Sequence, residues 1–233
     1  MTNAVFFDWS NTITRYYPLR EEAYAKAGRD VGFEVMPARL AQGVLLADQF
    51  WSEENTRLPI KKRESKEQIE VYIRYGRVVF KGAGVEVNDD TLLRIMKEVA
   101  GAFSKPSFAL YDDVLPAFDL LRQRGLVLGL ISNIDRDIKP FCEELGIGSY
   151  LNFVVTSLEV GSDKPHPPIF LAALERAGVK ASEAIYVGDQ YSSDMVGARG
   201  VGMRALLIDR YDLFGEIKDC PRIRTLVEIT KYL

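Results

Sequence analysis

Four polar segments of the sequence carry residue types that suit phosphate and metal chemistry. In chain order they are Asp8-Trp9-Ser10-Asn11-Thr12, Ser132-Asn133, the stretch from Thr156 to Lys164-Pro165, and Gly188-Asp189 with Asp194. Together they offer two or three carboxylates, whose mutual repulsion a hard cation such as Mg²⁺ relieves. They also offer a lysine, hydroxyl groups and backbone N–H groups, which suit phosphate oxygens. This combination favours phosphoryl chemistry with a carboxylate nucleophile.

Each polar segment follows an apolar run that is typical of a strand buried on both faces. We predict strands at 4–7, 126–131, 151–155, 184–187 and 205–208, helices at about 114–124, 138–145, 168–177 and 193–199, and a strand or short helix at 223–233. Strands that alternate with helices indicate a parallel sheet with right-handed crossovers. Because parallel strands end at one edge, where open α/β sheets bind ligands, we expect the polar segments to converge on Asp8.

Between Thr12 and Ser104 the sequence pattern is helical, and we predict no strand there. Four amphipathic helices are expected, at about 18–31, 37–51, 69–80 and 89–99, with a solvated connection at 52–67. Such helices make a small bundle. The first strand becomes buried only by pairing with the later strands, so it belongs to the same sheet. The helical bundle is therefore inserted between the first strand and the rest of the sheet domain. The predicted fold is α/β, a Rossmann-like doubly wound parallel sheet from residues 1–13 and 106–233 with an inserted four-helix domain at 14–105.

The composition narrows the classes of function. A net charge of −3 gives no general attraction to nucleic acid or to an anionic membrane. No apolar stretch approaches the ~18 residues of a membrane span, and the first apolar run is too short for a signal peptide, so we expect a cytoplasmic location. Cys142 and Cys220 form no motif and are expected to be free thiols. His166 is the single histidine, which removes His-based zinc sites and argues against a Ser-His-Asp mechanism.

In this order, the four polar segments resemble the motifs of the haloacid dehalogenase-like (HAD) superfamily of hydrolases. Asp8-x-x-x-Thr12 resembles the first motif, Ser132-Asn133 the second, Lys164 the third, and Gly188-Asp189 with Asp194 the fourth. The third is the most specific, since Ser157-x-Glu159-Val160-Gly161-x-x-Lys164-Pro165-x-Pro167-x-Ile169-Phe170 is close to a family signature. The resemblance covers the whole chain and implies that the inserted helical domain is a cap that selects the substrate.

The resemblance implies a Mg²⁺-dependent phosphohydrolase that acts on a small phosphorylated molecule through an aspartyl-phosphate on Asp8. Asp8 would be the nucleophile and a metal ligand. The other implied metal ligands are the backbone carbonyl of Ser10 and the carboxylate of Asp189. Asp194 would bind the metal through a water molecule or hold the direct ligands in place. Substrate binding is implied for Thr12, Ser132, Asn133 and Lys164. Lys164 would also neutralise charge between the phosphate and Asp8, and so lower the pKa of the nucleophile.

Simpler structural roles remain open for three of these positions. Ser132-Asn133 has the residue types of a helix cap, Lys164 has those of a solvated surface charge, and Asp194 has those of a carboxylate at the start of a helix.

Ser10 departs from the family pattern. Phosphatases of this family usually carry an aspartate two residues after the nucleophile, which protonates the leaving oxygen and then activates water. Such acid–base catalysis is typically worth ~10²–10⁴-fold, and a serine hydroxyl does not provide it. Family branches without this acid include P-type ATPases, phosphonatases and haloacid dehalogenases. The first motif resembles the phosphonatase version, but no cap lysine, among them Lys26, Lys61 and Lys62, is assignable as a Schiff base.

Two alternatives follow from this departure. Haloacid dehalogenases use a carboxylate nucleophile without metal and a cap arginine for the halide. Arg39 lies about where that arginine is expected, but its neighbours match poorly, and without metal the charge of Asp189 would hinder attack by Asp8. The second alternative is a binding or regulatory protein that keeps the site but has lost turnover, for which Ser10 is the only support. Mg²⁺-dependent phosphoryl transfer is favoured over both.

Overall fold

The computed structural model describes residues 1–134 and 136–233, and its main feature is a parallel sheet. The strands in chain order are β1 (Ala4–Phe7), β2 (Thr14–Tyr17), β3 (Ser107–Leu110), β4 (Val127–Ser132), β5 (Phe153–Thr156), β6 (Ala184–Gly188), β7 (Arg204–Ile208) and β8 (Arg222–Ile223). Within the described residues, one six-stranded sheet has the order β5-β4-β1-β6-β7-β8, with every pairing parallel. The predicted α/β class with a parallel, Rossmann-like sheet is therefore confirmed.

The helices lie in two groups along the chain. They are α1 (Arg20–Asp30), α2 (Pro37–Arg57), α3 (Ser65–Gly82), α4 (Asp89–Ala102), α5 (Val114–Gln123), α6 (Lys139–Glu144), α7 (Ser157–Val160), α8 (Pro167–Ala177) and α9 (Val196–Gly200). The chain divides into two compact units, Met1–Arg15 with Phe108–Leu233, and Tyr16–Ser107. The second unit contains α1 to α4, and its role as a cap stays a prediction. None of the helices described here combines the length and apolar character needed to cross a membrane.

β1 is a central strand of the main sheet, and all four of its residues are buried. A parallel strand covered on both faces has to be apolar along its length, so the first charged group appears only where the strand ends. Phe7, its last residue, lies beside Leu130 of β4 and Val187 of β6. The chain therefore leaves β1 at Asp8, close to the carboxyl ends of both neighbouring strands.

The prediction of no strand between Thr12 and Ser104 is wrong, because the short strand β2 lies there. β2 lies just before the predicted helix at 18–31, in a segment where no strand was predicted. β3 begins at Ser107, after that segment, and the two strands form a second sheet. The run Thr14–Tyr17 holds the β-branched and aromatic residues that strands favour. Its partner strand is far away in the sequence, so no local pattern reveals the pairing.

The segment 52–67 was predicted to be a solvated connection, and its first part is instead the end of α2. Glu54 is only 6% exposed there. Its carboxylate accepts a hydrogen bond from Arg63 Nη1 at 2.7 Å, and its carbonyl oxygen accepts one from Arg63 Nη2 at 2.6 Å. The hydrogen bond from Arg63 lowers the pKa of Glu54. The charges of this segment therefore pair with one another, which is what permits their burial.

Candidate active site

The site is built around Asp8, which follows β1 and is buried. Its backbone N–H donates to the carbonyl oxygen of Val187 at 2.9 Å, so the pairing of β1 with β6 extends to this residue. The loop then turns tightly, because the N–H and Oγ1 of Thr14 both donate to the carbonyl oxygen of Trp9, at 2.9 and 3.0 Å. Asn11 takes up the turn with φ 57°, in the left-handed region that asparagine tolerates better than most residues.

Lys164 is the centre of the charged groups and is only 5% exposed, so a solvated lysine is excluded. Its Nζ lies 2.5 Å from Asp8 Oδ1 and 2.6 Å from Asp194 Oδ1. The Lys164 backbone is held by Asn133, whose Oδ1 accepts from the Lys164 N–H at 2.6 Å and whose Nδ2 donates to its carbonyl oxygen at 2.9 Å. The structure thus brings the third motif against the first, with the second motif holding it.

Three buried carboxylates form a cluster at the site, and Lys164 contacts two of them, Asp8 and Asp194. Asp8, Asp189 and Asp194 each offer an oxygen within 4.8 Å of the others. One ammonium balances only one of these three charges, and the donor set consists of oxygens, which hard cations such as Mg²⁺ prefer. Both oxygens of Asp194 already accept hydrogen bonds, Oδ1 from Lys164 and Oδ2 from the backbone N–H of Gln190 at 3.0 Å. The residues present therefore fit a magnesium ion, with Asp8 and Asp189 better suited to direct coordination than Asp194.

The pKa of Asp8 is set by opposing effects of burial and of the neighbouring charges. Burial raises it from 3.8 to about 6, which outweighs the lowering by the positive charge of Lys164, while the charge of Asp194 raises it further. The expected lowering by Lys164 is present, but desolvation, which acts against the charged carboxylate, exceeds it. For Lys164, burial disfavours the ammonium, but the charges of Asp194 and Asp8 raise its pKa above the ordinary value and keep it protonated.

The remaining predicted site residues lie near these strand ends with different exposure. Ser132 is buried as the last residue of β4, Thr12 is buried, and Ser10 is half-buried. Within the described residues, Thr12 Oγ1 has no hydrogen-bond partner. Asn133 is exposed, and both ends of its amide are bound to the Lys164 backbone.

The structure excludes the simpler structural role of Ser132-Asn133 and is consistent with that of Asp194. The helix after Ser132-Asn133 begins only at Lys139, so the helix-cap reading of that pair is wrong. Asp194 does accept the N–H of Gln190 at the start of the π-helical turn Tyr191–Met195, in addition to its bond with Lys164.

Three residues of the site region had no role assigned from the sequence. Tyr186, inside β6, places its hydroxyl 2.9 Å from Lys164 Nζ. Asn11 Nδ2 donates to Asp189 Oδ2 at 3.3 Å. Arg210, after β7, donates to the carbonyl oxygen of Thr12 at 2.6 Å. Only Tyr186 had a readable signal, because a buried tyrosine hydroxyl in an otherwise apolar strand usually has a partner.

Comparison with known proteins identifies the family to which the chain is similar. The sequence model of the haloacid dehalogenase-like hydrolases matches residues 2–202. Haloacid dehalogenase-like hydrolase domain-containing protein 3 of Homo sapiens is 32% identical over 205 residues, which is 87% of this chain and 80% of that protein. Ribulose-1,5-bisphosphate 5-phosphatase of Halopiger xanaduensis is 25% identical over 213 residues, which is 90% of this chain and 85% of that protein.

The solved structures include a similar protein of the same class. The crystal structure of a HAD phosphatase from Thermococcus onnurineus covers 99% of this chain and 97% of its own, with 26% identity and a TM-score of 0.58. The resemblance seen in the motifs is thereby confirmed over nearly the whole chain. This chain belongs to the haloacid dehalogenase-like hydrolases, and it is an enzyme of that family.

Proposed function

We propose that this enzyme is a Mg²⁺-dependent phosphohydrolase that acts on a small phosphorylated molecule through an aspartyl-phosphate on Asp8. The observation that carries the proposal is the position of the Asp8 carboxylate, 2.5 Å from a buried ammonium and within 4.8 Å of the oxygens of two further carboxylates. Relatives with phosphatase names support the same reaction class. The all-oxygen, negatively charged set is the kind that holds Mg²⁺ beside a phosphate group.

Asp8 is proposed as the nucleophile. Its carboxylate attacks phosphorus, the bond to the leaving oxygen breaks, and water later cleaves the acyl phosphate and regenerates the carboxylate. With a pKa of about 6 in the absence of a cation, Asp8 is largely ionised at neutral pH. Lys164 stays protonated and compensates charge on Asp8 and on the phosphoryl oxygens. When bound, Mg²⁺ supplies further compensation for the phosphate charge.

The metal is proposed to be held by Asp8, the backbone carbonyl of Ser10 and Asp189. Asp194 supports the site from behind, since its two oxygens are bound to Lys164 and Gln190. Ser132 and Thr12 are proposed to contribute hydroxyl groups at the substrate side. Asn133 contributes indirectly, because it holds the backbone of Lys164.

The alternative function is that of a haloacid dehalogenase, and one experiment distinguishes it from the proposed phosphohydrolase. The dehalogenase reaction needs no metal, and the negative charge of Asp189 close to Asp8 would then oppose nucleophilic attack. A panel of phosphorylated metabolites with Mg²⁺, with and without excess chelator, is compared with halide release from 2-haloacids. Phosphate release that chelator abolishes is the expected result. Halide release that persists in chelator would replace the proposal with the dehalogenase reaction.

Asp189→Asn tests the metal role within the same assay. Loss of one of the candidate carboxylate ligands weakens the hold on the ion, so we expect at least a tenfold loss of Mg²⁺ affinity and of activity, in the range typical for disturbed metal sites. Asp119→Asn is the matched control, because Asp119 is an exposed aspartate of the same unit that bonds only the Tyr150 hydroxyl among the contacts described. Full activity of Asp189→Asn would contradict the assignment.

A further inference from the structure

The hydroxyl of Tyr186 lies among the charged groups of the site without being one of the family motifs. Tyr186 is 0% exposed and sits in the middle of β6. Its Oη is 2.9 Å from Lys164 Nζ and donates to Asp194 Oδ1 at 3.0 Å. The ring is fixed by an edge-to-face contact with Phe170, with centroids 5.3 Å apart. Side chain and hydroxyl are therefore both held in place.

We propose that Tyr186 is a positioning residue that fixes the Lys164 ammonium between Asp8 and Asp194. An ammonium has three N–H donors and no acceptor. Two of its contacts are the carboxylate oxygens of Asp8 and Asp194, and the third is the oxygen of Tyr186. The tyrosine accepts from the lysine and donates its own proton to Asp194, which closes a triangle of hydrogen bonds.

The phenol is suited to this double role because it stays neutral. Burial raises the pKa of Tyr186 well above its ordinary value, and the charges of Asp194 and Asp8 raise it further. A carboxylate in its place would add a charge, and a phenyl ring would leave the third N–H of the lysine buried without an acceptor. A lysine side chain is a flexible stem, so its position depends on such contacts.

The inference rests on the proposed phosphoryl transfer, in which Lys164 compensates charge on Asp8 and on the phosphoryl oxygens. Misplacement of a reacting or charge-compensating group by about 1 Å costs up to about 10²-fold in rate. Tyr186 restrains the lysine from one side only, so we expect a smaller loss. Removal of the hydroxyl should reduce kcat by about tenfold while KM changes less than twofold, since the lysine remains present to attract the phosphate.

Tyr186→Phe is the test, with Tyr150→Phe as the matched control. Both changes remove a phenolic hydroxyl that bonds an aspartate, but Tyr150 bonds Asp119, in an exposed pair outside the site. We expect the control to match wild type and Tyr186→Phe to show the kcat loss with a folded structure, since the ring is retained. Unchanged kcat would overturn the inference, and so would a variant that fails to fold, because Tyr186 would then be a structural residue.

A double-variant cycle separates positioning from general disturbance. If Tyr186 acts through Lys164, its tenfold effect on kcat/KM should disappear when the two variants Tyr186→Phe and Lys164→Met are combined. A factor that persists in the Lys164→Met background would overturn the inference. If wild type and Tyr150→Phe both hydrolyse no phosphorylated substrate with Mg²⁺, the proposed function fails. Urea unfolding of wild type, Tyr186→Phe, Lys164→Met and the double variant then tests the contact between Tyr186 and Lys164 without reference to activity. Coupling between the two positions in the unfolding midpoints supports it, and strictly additive midpoints contradict it.

Discussion

Gly188 is the position where the smallest change should disturb the site most. It ends β6, and a Cβ added there would lie 2.3 Å from Asp194 Oδ2 and 2.4 Å from its Cγ. Carbon atoms that are not bonded approach their neighbours to about 3.5–4.0 Å. In Gly188→Ala the Asp194 carboxylate must therefore retreat by about 1 Å, toward the van der Waals distance.

The consequence for activity follows from what Asp194 holds. Its Oδ1 lies 2.6 Å from Lys164 Nζ, so a shift of the carboxylate either breaks this contact or moves the ammonium away from Asp8. A misplacement of about 1 Å at a catalytic group costs about 10²-fold, which corresponds to about 2.7 kcal/mol of barrier. We expect kcat/KM of Gly188→Ala to fall by about 10²-fold. Overpacking should also lower the free energy of unfolding by about 1–3 kcal/mol.

Gly200→Ala is the matched control for this prediction. Gly200 ends α9 in the same unit, and a Cβ there would meet no atom within 4 Å. Its kcat/KM should equal that of wild type, and its stability should be equal or higher by up to about 1 kcal/mol, because alanine has less chain entropy to lose. Steady-state kinetics and urea unfolding on the three proteins give both quantities. A folded Gly188→Ala with wild-type kcat/KM would refute the role assigned to Asp194.

Two further predictions concern the first motif. Because burial raises the pKa of Asp8 in the folded state from 3.8 to about 6, metal-free protein should lose up to about 3 kcal/mol of stability as pH rises between these values. Urea unfolding in chelator at pH 4 and 6.5 measures this loss, which should be smaller in Asp8→Asn. An equal loss in both proteins would contradict the burial argument. Ser10→Asp should raise kcat/KM for alkyl phosphates more than for acyl or aryl phosphates; an unchanged dependence on leaving-group pKa would show that another residue supplies the proton.

The sheet was predictable because its signal is local. A run such as Ala4–Phe7 is apolar over its whole length and ends in polar residues, and five such runs alternate with helical patterns. The second sheet was not predictable in this way. β2 and β3 are four residues each and lie far apart in sequence, so their pairing depends on the tertiary fold rather than on a repeated pattern.

The candidate site also has features that were predictable from the sequence and features that were not. Asp8, Lys164 and Asp189 were found from residue type and position at strand ends, since parallel strands share one edge. The contacts of Asn11 with Asp189 and of Arg210 with Thr12 join residues that are far apart in sequence, and no spacing rule connects them. The sign of the Asp8 pKa shift depends on the degree of burial, which the sequence does not measure. The residue types of the site were therefore predictable from the sequence, whereas the net direction of the Asp8 pKa shift was not.

Charge balance at the strand ends limits what a carboxylate at position 10 would achieve. Asp8, Asp189 and Asp194 already form a cluster of three buried carboxylates, two of which contact the Lys164 ammonium. Burial and the charge of Asp194 both raise the pKa of Asp8, and another nearby carboxylate would raise it further unless a cation compensates. Under the proposed function, Ser10 avoids this added repulsion, but its hydroxyl would not act as the acid for the leaving oxygen. We therefore expect wild type to favour substrates whose leaving oxygen departs without a proton, and expect Ser10→Asp to widen that range only while Mg²⁺ is saturating.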